Sequence, residues 1–182
     1  MSDERLLTIK ELKQLITKND TGLLFCFGTS LISRIIQAKT KLNNKEVVPS
    51  HVAIIYQGKF LYESTSQPQE YKNKTIPAGV RRYLLTDFYN IEKDKGTKYY
   101  FFPCDIYESE LEYYVHYPYG KDLILDFLLT NGSDGVSDGL ICSQYANKCS
   151  DLMEMKCPSP AVLYRFVTNN VKEIWWNYIK LK

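Results

Sequence analysis

The sequence predicts an α+β domain, and three patterns lead to this prediction. Residues 23–27 (LLFCF) form a continuous apolar run of strand length, which is typical of a buried strand. Residues 51–65 contain two apolar stretches around a short turn with a glycine, which predicts a β-hairpin. Two other segments, 9–16 and 30–38, carry apolar side chains at the spacing of an amphipathic helix.

The first helix has both a start signal and an end signal. Thr8 and Glu11 have the spacing of a capping box, in which each side chain bonds the backbone N–H of the other residue. The polar stretch 19–22 ends this helix before the buried strand begins. After the second helix, residues 39–48 are polar and predict a loop that leads into the hairpin.

The rest of the chain divides into shorter predicted elements. Residues 66–78 contain two prolines and no periodicity, which predicts a surface loop. Residues 132–139 are rich in Gly, Ser and Asp, and they predict a flexible connector. The remaining predictions are strands at 80–83, 98–102 and 162–167, a short helix or turn at 84–89, helices at 108–115, 121–129 and 140–152, and an amphipathic segment at 171–179.

Length and charge narrow the classes of protein. A chain of 182 residues suffices for one full core and is short for two, so we expect one domain over residues 1–182. The formal net charge is +2, without the basic stripe that binding to nucleic acid requires. No apolar run could span a bilayer, and residues 2–5 do not begin a secretory signal. We expect a cytoplasmic monomer, or a phage or viral product, without a nucleic-acid partner.

The cysteines point to thiol chemistry and not to a metal. The chain has five, an odd number, and none forms a close pair with zinc-ligand spacing. A reduced compartment is the simpler interpretation, and we expect neither a metal nor a cofactor. Four of the five are expected to be small buried residues of the core, namely Cys26, Cys104, Cys149 and Cys157.

His51 and Glu63 lie on the two arms of the predicted hairpin, and the turn decides whether they meet. A two-residue turn at Gln57-Gly58 would place them on opposite faces of the ribbon. A three-residue loop, Tyr56-Gln57-Gly58, would place His51 directly opposite Glu63, with Cβ atoms about 5 Å apart. Glycine at the third loop position favours this second register, because that position takes a left-handed backbone.

Cys142 occupies a position at which a thiol is easily activated. With Ser137 or Asp138 as the capping residue, the thiol would lie in the first turn of the helix that starts near Leu140. Unpaired backbone N–H groups and the helix dipole favour an anion there, and the same groups could stabilise an oxyanion. A thiolate also needs a base and a group that orients the base, and His51 and Glu63 fit these two roles.

The order of these segments resembles a known family. A strand followed by Gly, then SHVAII, YEST, GVRRYLLTDF, YPYG and ICSQYANKC is similar to the circularly permuted papain-fold cysteine hydrolases of the NlpC type. That group includes YiiX-like bacterial proteins and their poxvirus relatives, and it is distantly similar to lecithin:retinol acyltransferase. The resemblance covers about residues 21–167, after an N-terminal helix within residues 1–20. It implies an antiparallel sheet packed against helices, with the nucleophile at a helix N-terminus.

The resemblance also assigns roles to residues. Cys142 matches the nucleophile, His51 the base and Glu63 the residue that orients the base, while Tyr119 is a candidate substrate-binding residue in the cleft. The implied activity is hydrolysis of an amide or an acyl ester or thioester, with a peptide, a peptidoglycan fragment or an acyl compound as substrate. Two alternatives remain, an acyltransferase with the same triad and a non-catalytic interaction protein. Of Arg81 and Arg82, the strand alternation points only one inward, and we expect a solvated pair.

Overall fold

The computed structural model describes residues 6–43, 45–120 and 139–170. Five antiparallel strands form a sheet in the order β6-β3-β2-β1-β7, and two short strands, β4 and β5, form a separate hairpin. The strands are β1 (Gly22–Phe27), β2 (His51–Tyr56), β3 (Phe60–Thr65), β4 (Gln69–Tyr71), β5 (Lys74–Ile76), β6 (Gly79–Leu84) and β7 (Lys98–Pro103). The helices are α1 (Ile9–Leu15), α2 (Leu31–Thr40), α3 (Leu85–Glu92), α4 (Glu108–Tyr113), α5 (Cys142–Ser150) and α6 (Pro160–Asn169).

Helices cover both faces of the sheet, which explains the continuous apolar run in β1. Leu23 and Phe25 point to one face and join a core with side chains of α4, α5 and α6. Leu24 points to the other face and packs in a core with Leu12 of α1 and Phe88 of α3. Because side chains alternate along a strand, only a strand buried on both faces is apolar at every position. The predicted α+β class and the buried central strand are confirmed.

Several local predictions are also confirmed. The capping box of α1 is complete, because the Thr8 hydroxyl accepts from the Glu11 N–H at 3.2 Å and the Glu11 carboxylate accepts from the Thr8 N–H at 2.8 Å. The predicted elements at 30–38, 80–83, 84–89, 98–102, 108–115 and 140–152 form with boundaries that differ by at most three residues. The predictions for residues 121–129, 132–139 and 171–179 fall almost entirely outside the described residues.

The strand predicted at 162–167 is wrong, because these residues lie within helix α6. Ser159 caps this helix by accepting from the Val162 N–H, and Pro160 occupies its first turn. Leu163 and Val167, one helical turn apart, are both fully buried against the core. The β-branched and aromatic residues of this segment favour a strand locally, but a helix buries Leu163 and Val167 together.

The surface loop predicted at 66–78 is also wrong in part. Within it, Gln69–Tyr71 pairs with Lys74–Ile76 as a small hairpin whose turn residues, Lys72 and Asn73, have positive φ angles. Asparagine tolerates the left-handed region, so a tight turn forms without glycine.

The hairpin that carries His51 and Glu63 has the predicted loop length but a shifted register. Tyr56 pairs with Phe60, so the loop is Gln57-Gly58-Lys59 and not the predicted Tyr56-Gln57-Gly58. Gln57 and Gly58 both have positive φ angles, 53° and 55°. The shift moves the pairing by two residues, so His51 and Glu63 remain on the same face but are diagonal neighbours and not directly opposite.

Gly58 is predicted to be required for stability in a way that Gly96 is not. Both have positive φ angles, so alanine at either position meets the left-handed penalty of about 1–2 kcal/mol. A Cβ atom on Gly58 would also overlap the Thr17 carbonyl oxygen, whereas one on Gly96 would contact nothing within 4 Å. Gly58→Ala should therefore lower the free energy of unfolding in urea clearly more than Gly96→Ala. Equal losses would contradict this packing argument.

Candidate active site

The site forms where strands β2 and β3 separate. Their ladder covers only the part of the hairpin near the turn, from the Ile54–Tyr62 pair to the Tyr56–Phe60 pair. Beyond it, the N-terminus of α5 lies against the ends of both strands. The Ser64 hydroxyl of β3 donates a hydrogen bond to the Leu140 carbonyl, and the Leu140 N–H donates to the Pro118 carbonyl at 3.0 Å. These bonds fix the start of α5 against the sheet.

Cys142 is the first residue of α5, as the sequence predicts, although the capping residue differs. The N-cap is Ile141, which has no side-chain hydrogen bond, so the predicted caps Ser137 and Asp138 are wrong. The backbone N–H groups of Val52 and Ser143 lie close enough to the Cys142 sulfur to lower the pKa of its thiol by hydrogen bonding. Cys142 is 6% exposed. The open edge of β2 thus supplies an amide that helps to hold the sulfur as an anion.

The His51 imidazole lies between Glu63 and Cys142. Its Nε2 is 2.8 Å from Glu63 Oε2. Cys142 lies close enough to the ring that charge and hydrogen bonding between the two shift the pKa of both groups. Because Nε2 is engaged by the carboxylate, Nδ1 is the ring nitrogen left for the thiol. The His51 side chain is 27% exposed, while that of Glu63 is 8% exposed. The structure therefore brings together the three side chains that the sequence singles out.

The electrostatics of this group favour a thiolate paired with an imidazolium. Burial alone would raise the pKa of Cys142, but the charge of His51 and its hydrogen bond outweigh burial and lower that pKa below its ordinary value. Burial likewise opposes the charge on His51, whereas the Cys142 thiolate and the Glu63 carboxylate raise the pKa of His51 to about 10. Both shifts favour the ion pair in which the proton lies on the imidazole and the sulfur carries the negative charge.

Arg81 and Tyr83, in addition to His51, hold the Glu63 carboxylate in place. Its Oε1 accepts hydrogen bonds from Arg81 Nη2 at 2.6 Å, from Arg81 Nε at 3.0 Å and from the Tyr83 hydroxyl at 2.7 Å. Burial would raise the pKa of this carboxyl group, but His51, Arg81 and Tyr83 together hold it well below its usual range. Glu63 therefore stays ionised and fixed in orientation at neutral pH.

Arg81 corrects one sequence prediction. The two arginines were expected to form a solvated pair, but Arg81 lies directly opposite Glu63 in the β3–β6 ladder and its side chain is only 9% exposed. Arg82 points to the other face and pairs with Glu112 at 2.9 Å, with both side chains about half exposed. Sequence reasoning missed Arg81 and Tyr83 as members of the site. The alternation of β6 was a signal that one arginine points inward, but it did not show which strand lies beside β6.

Two cavities meet at His51. The first has a volume of about 640 Å³ and contains Cys142 and Tyr119, so the predicted cleft position of Tyr119 agrees with its location. The second, of about 470 Å³, contains Glu63, Arg81 and other polar side chains. Burial and the nearby Cys142 charge raise the pKa of Tyr119 far above its ordinary value, so its hydroxyl stays protonated and can donate. The thiol faces one cavity, and the network that orients the imidazole faces the other.

Three of the other cysteines are buried as predicted and contrast with Cys142, whereas the prediction for Cys157 is wrong, because Cys157 is partly exposed and lines the same cavity as Cys142. Burial raises the pKa of Cys104 and of Cys149 to about 12, and burial with nearby negative charges raises the pKa of Cys26 well above its ordinary value. No group of three or more His, Cys, Asp or Glu side chains suited to a metal ion occurs within residues 6–43, 45–120 and 139–170. In the same part of the chain, no helix is long and apolar enough to cross a membrane.

Comparison with known proteins adds no assignment to this geometry. No protein-family model matches the chain, and neither a curated protein nor a solved structure matches it significantly. The fold and the site together define a mixed α+β protein with an antiparallel sheet and a buried Cys–His–Glu group at one end of that sheet.

Cys142 is predicted to react faster with iodoacetamide at neutral pH than the other four thiols, because its pKa is lowered by His51. Brief treatment followed by peptide mapping measures the labelling of each cysteine. In His51→Ala the pH midpoint of Cys142 labelling should move upward, since the partner that stabilises the thiolate is lost. Preferential labelling of Cys26 or Cys149 would exclude this assignment of the reactive thiol.

Arg81→Met is predicted to destabilise the fold at neutral pH by about 3–5 kcal/mol, because it removes the buried guanidinium that donates two hydrogen bonds to the buried Glu63 carboxylate. Arg82→Met, on the same strand, should cost at most about 1 kcal/mol, since its ion pair is exposed. The pKa of Glu63 is lower in the folded protein than in the unfolded chain, so its ionised form stabilises the fold at a pH above the unfolded-state pKa. This stabilisation is lost as the pH falls toward the folded-state pKa. The difference between wild type and Arg81→Met in urea unfolding should therefore shrink from pH 7 to pH 4. A constant difference would contradict this coupling.

Proposed function

We propose that this protein is a cysteine hydrolase that acts through an acyl-enzyme, with Cys142 as nucleophile, His51 as base and Glu63 as the residue that orients the base. The single observation that carries the proposal is the placement of His51 between Glu63, whose Oε2 is 2.8 Å from the ring, and the adjacent Cys142, which lines an open cavity together with His51. A nucleophile, a base and an orienting group in contact are the general signature of covalent catalysis. We further propose the circularly permuted papain-like fold of the NlpC type, in which the cysteine follows the histidine.

In the acylation step, the Cys142 thiolate attacks the carbonyl carbon of the substrate and a C–S bond forms. The backbone N–H of Cys142 lies in the first turn of α5, where N–H groups have no acceptor within the helix, so it can donate to the oxyanion. The protonated His51 then gives its proton to the leaving amine, alcohol or thiol, and the bond to that group breaks. A thioester on Cys142 remains.

In the deacylation step, neutral His51 takes a proton from water and the resulting hydroxide attacks the thioester carbonyl. The C–S bond breaks, the carboxylic acid leaves, and the thiolate–imidazolium pair forms again. Glu63 keeps the imidazole oriented through Nε2 and stabilises its charge in both steps. Tyr119 is proposed to donate to the bound substrate, which is supported by its position in the cavity lining and by its neutral hydroxyl.

The bond that is cleaved is an amide, as in peptides or peptidoglycan stem peptides, or an acyl ester or thioester. The direct test is to incubate the protein with purified peptidoglycan, with peptides and with acyl thioesters, and to identify the products by mass spectrometry. Cys142→Ala serves as the control in each reaction. Products that appear equally with Cys142→Ala, or no products from any of the substrates, would overturn the proposal. Added amines or alcohols that capture the acyl group would instead indicate an acyltransferase.

The two partners of the nucleophile are predicted to have graded effects on turnover. General-base assistance is worth about 10²–10⁴-fold, so His51→Ala should lose at least that much of kcat/KM. Glu63→Gln should lose less, because Gln still accepts a hydrogen bond from the ring but cannot stabilise the imidazolium charge. Steady-state kinetics on the substrate identified above measures both variants. A well-folded His51→Ala protein with an unaltered rate would exclude the mechanism.

A further inference from the structure

Helix α2 and the loop after it expose an unusual number of large apolar side chains. Leu31 and Leu42 are 76% and 77% exposed, and Ile32, Ile35 and Val47 are also exposed. These five residues lie within a stretch of seventeen, positions 31–47. Single exposed apolar residues are normal on a protein surface, but a group of this size marks a site of interaction.

The exposed apolar side chains continue into the cavity that contains Cys142. Ile32 and Ile36 of α2 line one side of the cavity, and Ile141, Met155 and Val162 also line it. Lys156 is the one permanently charged side chain among the described residues that line it. Apolar side chains therefore form one wall of the cavity from α2 to the thiol, and uncharged polar side chains such as Thr65, Ser66 and Gln67 also line it. The lining offers no fixed charge pair for the carboxylates and amines of a peptide.

Residues 31–47 carry mostly positive charge. Exposed cationic side chains accompany the apolar ones, namely Arg34, Lys39, Lys41 and Lys45. Glu46 is the one acidic residue within positions 31–47, and Arg165 of α6 neutralises it through a hydrogen-bonded ion pair of 2.6 Å. A helix with an exposed apolar face and basic flanks is typical of a segment that lies on an anionic lipid surface.

The segment is also anchored to the body of the protein. Arg165 donates to the Thr40 carbonyl at the C-terminus of α2 and makes two bonds to Glu46, so one side chain holds both the helix end and the loop. The Thr40 hydroxyl donates to the Ile36 carbonyl and is itself buried. The exposed apolar side chains therefore lie on a helix and loop that are held to α6 by hydrogen bonds.

We propose that α2 and the loop to Val47 seat the mouth of the Cys142 cavity on an anionic lipid bilayer, and that an acyl chain enters the cavity from that bilayer along its apolar wall. This inference rests on the proposed hydrolase function for its chemical consequence, because the acyl carbonyl would then reach Cys142. The apolar side chains enter the interface, while the four cations face the lipid headgroups. The substrate class that follows is an acyl lipid carried by the membrane and not a soluble peptide.

The docking test is independent of catalysis because it uses full-length Cys142→Ala protein. Cosedimentation with vesicles of phosphatidylcholine, or of phosphatidylcholine mixed with phosphatidylglycerol, should show binding to the mixed vesicles that weakens as salt rises. Leu31→Asp combined with Ile35→Asp should lower this binding at least about tenfold, and so should Lys39→Glu combined with Lys41→Glu. Neither pair of positions lines the cavity. Circular dichroism checks that each variant is folded.

Helix α1 provides matched controls, because Leu15, Lys10 and Lys13 are also exposed. Leu15→Asp, and Lys10→Glu combined with Lys13→Glu, should leave vesicle binding unchanged. Equal binding to neutral vesicles, no vesicle binding, or equal losses in the α1 and α2 variants would overturn the docking proposal. A dimer in sedimentation velocity that the α2 variants dissociate would also overturn it, since a second protein chain would then cover this surface.

A separate measurement distinguishes failure of this inference from failure of the proposed function. Wild-type protein is incubated with mixed vesicles that contain acyl esters and, separately, with peptides, with Cys142→Ala as control. Release of fatty acid that depends on Cys142 supports the inference. Cleavage of peptides alone would overturn the acyl-lipid substrate while leaving the hydrolase function intact. Vesicle binding without any Cys142-dependent product would overturn the hydrolase function and the acyl-lipid substrate with it, and would leave docking as a property of α2.

Discussion

The buried carboxylate of Glu63 is the group on which the geometry of the site depends. An ionised carboxylate under a sheet is costly unless charged and polar partners replace the lost water. Arg81 and Tyr83 from the neighbouring strand bind one oxygen, and His51 binds the other. The bonds from β6 to Oε1 fix the orientation of the carboxylate, and Oε2 can therefore hold the imidazole in one orientation.

The two partners of His51 lie on opposite faces of the sheet. Glu63, Arg81 and Cys26 point to the face that is covered by α1 and α3, whereas Cys142 begins a helix on the opposite face. His51 is the first residue of β2, beyond the last pair of the β2–β3 ladder. A side chain at a strand end can contact groups from both layers, while one in the middle of a strand faces a single layer. The pair of cavities that meet at His51 is the consequence.

The strand separation at this point serves a second purpose. Where β2 no longer pairs with β3, the Val52 N–H remains available and lies close to the Cys142 sulfur. The Ser64 hydroxyl at the corresponding place on β3 holds the Leu140 carbonyl. The Val52 N–H, which an ordinary hairpin would use in its own ladder, thus helps to stabilise a thiolate, while the Ser64 side chain positions the helix N-terminus. The same opening exposes the thiol to the cavity that α2 borders.

The sequence by itself determined the features that depend on near neighbours along the chain. Local periodicity predicted the apolar run of β1, the capping box of α1 and the position of Cys142 at a helix start. The length of one short loop predicted that His51 and Glu63 lie on one face. Only the tertiary structure decided that β6 lies beside β3, which brings Arg81 to Glu63, and that residues 162–167 form a helix. Strand order depends on contacts between segments that are far apart in sequence, and burial against α5 overrides the local strand preference of α6. Local pattern therefore identified Cys142, His51 and Glu63 as one group, and long-range packing supplied the residues that hold Glu63 in place.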